Sequence, residues 1–172
     1  MGKRLTEVTV KLPWLEGKWV VDEAQRLAAW EIYVELVTRI AIEPLGKDDG
    51  LLREALTSLH TLFAETRKIL RHHGPTVAIP DKKRMLSLGQ IAVDVLNVLI
   101  RPFLAKWHPA LMQHEAQPHA DVSKVEHEHR WNRAGELRDA LEKLRGTLVL
   151  YADILAAACE IPSLHSRSHP EA

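Results

Sequence analysis

The chain is 172 residues long, 46% hydrophobic and 27% charged, a size and balance that suit one ordinary globular domain. Its 23 basic residues equal its 23 acidic ones, so no overall positive field gathers phosphate backbones, and bulk nucleic-acid binding is disfavoured. The one cysteine, Cys159, cannot close an internal disulfide, the first residues lack the apolar core of a signal peptide, and no run of about 18 uncharged apolar residues is present. A cytoplasmic location without a membrane partner is the expectation.

Residues 1–21 read as an extended N-terminal arm or a frayed hairpin, because the alternation of EVTVKLPWLEGKWVVD fades after Val10 and Pro13 interrupts it. Trp14 and Trp19 either fold down onto the rest of the chain or form a docking surface for another one. Asp22 then caps a first helix predicted to reach about Glu43, with Trp30, Tyr33, Val34, Val37, Ile40 and Ala41 recurring at helical spacing. Pro44 and Gly46 end it. Asp48 or Asp49 supplies the next cap, and Leu52, Ala55, Leu56, Leu59, Phe63 and Leu70 form the stripe of a second helix. Arg71, His72 and His73 complement its negative end before Gly74 and Pro75 stop it.

The third helix, expected from about Asp81 to Glu115, is apolar nearly all round. Lys83, Ser87, Gln90, Asp94, Asn97, Arg101, His108 and Glu115 fall within a strip about 80° wide, far less polar girth than a surface helix carries. Such a helix is either central or a site of association. Pro102 and Pro109 are expected to kink or break it near Ile100 and His108. A fourth helix opens at Ser123 with Glu126 in a capping box and runs to about Glu160. Its seam, Ala134, Leu137, Leu141, Leu144, Leu148, Tyr151, Leu155 and Ala158, steps by three and four as bundle helices do. The polar tail, 162–172, is expected to be disordered. The fold class is therefore all-α, an up-down four-helix bundle over 22–161 with an extended arm before it.

Phosphate-loop, dinucleotide, α/β-hydrolase and HExxH signatures are absent, and no cofactor is expected. Ten histidines raise a metal reading in which His108, His114, His127 and His129 supply ligands of the kind zinc, iron or manganese accept. Only one Glu-x-x-His pair, Glu126 to His129, is present, where a carboxylate-bridged bundle needs two. The segments Arg67-KILR-His72 and Arg101-PFLAKW-His108 resemble the Arg, four to six residues, His signature of metal-independent RNases of the HEPN class. That resemblance implies a helical bundle in which His moves the 2′-hydroxyl proton and Arg stabilises the phosphorane.

Asp94, Asn97, Arg101 and His108 form either a buried polar network or the solvent face of helix three. Trp107 and Trp131 are expected near one bundle end, where they meet if helices three and four run antiparallel. The function these features favour is a non-enzymatic interaction protein, a homo-oligomer or the small subunit of a larger assembly, with a protein as its partner.

Overall fold

The computed structural model describes residues 6–119 and 121–165. It is mostly helical with a two-stranded antiparallel sheet, so the chain is not purely α. The lead-in is a hairpin, β1 (Thr6–Leu12) and β2 (Leu15–Val21), turning at Pro13 and Trp14 with Thr6 opposite Val21 and Leu12 opposite Leu15. The alternation continues through Leu12: Val8, Val10 and Leu12 are buried, Thr9 and Lys11 exposed. That period-two burial makes β1 a strand packed on the last helix instead of a free arm.

Helix α1 (Glu23–Val37) starts at Asp22, whose carboxylate accepts from the Gln25 amide at 2.9 Å. It stops six residues short of Glu43, and a 3₁₀ turn over Ile40–Ile42 follows. Its buried face is Ala28, Ala29, Ile32, Tyr33 and Leu36, while Trp30 and Val34 are exposed. The expected stripe holds at Tyr33 and Ala41 but not at Trp30 and Val34, because α1 packs against elements on two sides, where the small Ala28 and Ala29 allow close approach.

Helix α2 (Leu52–His73) has no cap from Asp48 or Asp49; its N-cap residue is Leu51, with no side-chain hydrogen bond of its own. The carboxylate of Glu128 takes that place from 76 residues away, accepting from the Leu52 amide at 2.7 Å and the Arg53 amide at 3.3 Å. Gly74, at φ 73°, ends the helix in the left-handed region that glycine tolerates.

Helix α3 (Leu88–Glu115) begins after Ser87, whose Oγ accepts from the Gln90 amide at 3.2 Å, and not at Asp81. The preceding residues lie beside the hairpin, the Leu86 amide donating to the Lys18 carbonyl at 2.7 Å. Neither proline breaks the helix. Val95–Ile100 wind as a π-helix, and this wider turn just before Pro102 relieves the clash between a proline ring and the preceding turn. Pro109 lies on the exposed side. By length and composition alone α3 is long and apolar enough to cross a membrane, although it carries Asp94 and Arg101 and packs one face into the core.

The expected fourth helix is two helices, α4 (Lys124–His129) and α5 (Ala134–Cys159). Ser123 accepts from the Glu126 amide at 3.1 Å, but the Glu126 side chain pairs with Arg130, so only half of the capping box forms. The chain turns at 130–133 and carries Trp131 inward. Every residue of the α5 seam read from the sequence is buried. Beyond Glu160 the chain folds back: the Leu164 amide donates to the Tyr33 hydroxyl at 2.7 Å and Ser163 Oγ to Asp153 at 2.6 Å. Residues 162–165 are thus placed against α1 and α5, and 166–172 lie outside the described residues. Among the helices, α1 packs most extensively on α5 and then α2, and α2 packs on the second half of α3.

Candidate functional site

Two regions concentrate chemistry, and α3 contributes to both. At its C-terminal end, buried His114 donates from Nε2 to the His127 carbonyl at 2.7 Å, because a carbonyl can only accept. That bond lays the rings of His114 and His127 face to face with centroids 4.1 Å apart, and His119 stacks on the far face of His127 at 4.3 Å. Trp131 stacks on His114 at 5.6 Å and meets Trp107 edge-on at 6.3 Å, so the two tryptophans do converge. Arg133 and Lys106 lie over the Trp107 ring at 4.6 and 4.8 Å.

A cleft of about 390 Å³ opens beside this stack, lined by Arg53, Glu115, Lys124 and Glu128 among others. Arg53 reaches Glu115 with two hydrogen bonds, at 2.8 and 2.7 Å, in the bidentate geometry that suits guanidinium and carboxylate. The His127 ring is held below the ordinary histidine value, first by desolvation and then by the neighbouring His114 and His119, with Glu115 opposing. A second cleft, of about 410 Å³, lies past His114 and is edged by Gln113, Asn132, Arg130 and Arg133.

The second region is the outer face of α3. Its inner face buries Leu88, Ile91, Ala92, Val95, Leu96, Ile100, Trp107, Leu111 and His114. Its outer face exposes Val98, Pro102, Ala105, Pro109 and Met112, spaced four, three, four and three residues apart. Val98 is 48% and Met112 54% exposed. This is the spacing of a helix-pairing seam, and among the described residues its side chains are left exposed.

The polar strip flanks that seam and does not form a buried network. Gln90 donates to Asp94 at 2.9 Å and Arg101 to Asn97 at 3.1 Å, both as exposed pairs one turn apart. Asp94 therefore does not orient Arg101, which also lies 5.1 Å from the Phe63 ring centroid. His108 is half-buried. Among the described residues no hydrogen bond joins Arg101 to His108 or Arg67 to His72; Arg67 and His72 are both exposed on α2.

Of the four histidines considered for a metal, only His114 and His127 are brought together, and their rings stack instead of aiming nitrogen lone pairs at one point. Among the described residues no three His, Cys, Asp or Glu side chains are placed to hold a metal ion. Trp19 is wholly inside, its Nε1 donating to Gln25 Oε1 at 2.7 Å, and Trp14 is half-buried. Compared with known proteins, the chain matches no family model, no curated protein and no solved structure.

Sequence reasoning missed Arg53, the stacking of His119 on His127, the capping role of Glu128 and the outer seam. The seam's four-three spacing was present in the sequence, but two of its five members are prolines, which read as interruptions. Nothing local marks Glu128 as the cap of a helix far away in the chain.

Proposed function

We propose that this chain is a non-enzymatic interaction protein, its four long helices forming an up-down bundle, that associates within the cytoplasm through the outer face of α3. The observation that carries the reading is the exposed stripe Val98, Pro102, Ala105, Pro109, Met112 on a helix whose opposite face is already packed. The favoured partner is a second copy. Read from either end, the stripe runs large, proline, alanine, proline, large, and a two-fold contact requires residue i to meet j while j meets i. An antiparallel pair with its axis at Ala105 sets Val98 against Met112 and Pro102 against Pro109, and the small central side chain lets the two backbones approach.

Light scattering over a range of micromolar concentrations tests this. The apparent mass is expected to rise from 19.5 kDa toward twice that value. Ala105→Glu and Met112→Glu are each expected to weaken association by about tenfold or more, since a two-fold interface receives every substitution twice. Circular dichroism should stay unchanged in both variants, because neither side chain is in the core. A wild-type chain that remains a monomer throughout the range overturns the reading.

A further inference from the structure

We propose that the stack of His119, His127 and His114 is a proton-operated clasp that decides whether Glu128 caps α2. Helix α4 has six residues, Lys124–His129, too few to persist without tertiary support. Its support is the ring stack and the bond from His114 to the His127 backbone, and the residue after His127 is the one whose carboxylate closes the first turn of α2. The clasp and the cap are therefore adjacent residues on one short, weakly held element.

Stacked imidazoles tolerate one proton more readily than two, since like charges at about 4 Å repel across a partly dry contact. The charged groups facing His127 come from every packed element: Arg53 from α2, Glu115 from α3, and Lys124 and Glu128 from α4 itself. Arg53 and Glu115 largely satisfy each other, which leaves the histidines to set the response. His127 lies below its ordinary value of 6.5 in the folded chain. The folded state thus binds fewer protons than the unfolded one, and this ring's contribution is complete above about pH 6.5, the unfolded value, and is lost below it as pH falls through the lower folded value. Acidification parts the rings, lifts α4 and withdraws the carboxylate from the Leu52 and Arg53 amides.

Hydrogen exchange read by NMR, corrected for the intrinsic rate, follows those two amides directly. Between about pH 7.5 and about pH 5.5 their protection is expected to fall by about tenfold or more in the wild type, while core α5 amides such as Leu148 hold theirs. His127→Phe, which stacks but cannot take a proton, is expected to keep both amides protected at both values. Glu128→Gln is expected to lower their protection equally at both, which separates the cap from its trigger. If His127→Phe does not fold, as judged by circular dichroism, His119→Phe replaces it and is expected to shrink the fall. Protection that falls equally in the wild type and the phenylalanine variant, or that falls in neither, overturns the proposal.

Discussion

Gln25 shows how much one buried side chain can hold. Its Oε1 accepts both the Trp19 indole and the Leu88 amide, joining β2, α1 and the start of α3 through a single oxygen. Gln25→Leu preserves volume but leaves two buried donors without an acceptor, so it is expected to cost about 2 to 4 kcal/mol in urea unfolding. Tyr151 is the opposite case. Its hydroxyl is buried, finds no hydrogen-bond partner among the described residues, and burial pushes the phenol far above its ordinary value. Tyr151→Phe removes an unmet polar group and is expected to raise stability by up to about 1 kcal/mol in the same measurement. Neither role was legible in the sequence, because a glutamine near a helix start reads as solvated and a tyrosine in a regular seam reads as ordinary core. The histidine stack was legible as a cluster of candidate ligands but not as stacked rings, since its geometry depends on α4 turning back toward α3.

Among elements, α5 was readable because its seam faces one way and local periodicity is all that places it. Helix α3 was half readable: its surplus of apolar girth was evident, but the prolines suggested a break that the π segment avoids. The division between α4 and α5 carries no glycine or proline; it occurs where Trp131 is drawn in against Trp107 and His114. Two glycines separate helix propensity from packing. A Cβ at Gly146, inside α5, would meet nothing within 4 Å, so Gly146→Ala is expected to stabilise by about 0.5 to 1 kcal/mol. A Cβ at Gly89 would lie 2.7 Å from the Ala78 Cβ and 2.9 Å from its Cα. Gly89→Ala forces α3 away from the turn at Pro75–Ala78 and is expected to destabilise by about 1 to 3 kcal/mol. Thermal or urea unfolding of the two variants side by side checks both signs.

For the molecule as a whole, part of the balanced charge read from composition sits in short-range pairs such as Glu35 with Arg39, Glu142 with Arg145, and Arg53 with Glu115. The hairpin and α1 are each completed from far along the chain. Arg26 on α1 donates to the Ala158 carbonyl at 3.0 Å across 132 residues, and β1 rests on α5. Closures of that span slow a fold, since most of the chain must be gathered before the contact returns any stabilisation. During synthesis, Ile32 and Tyr33 emerge from the ribosome with their principal neighbour still untranslated, and the nascent chain must keep this greasy surface from premature clumping until α5 arrives. The exposed placement of Trp30 and Val34 on the same helix adds to that burden, which makes the interval before α5 appears the time when the polypeptide most needs a chaperone.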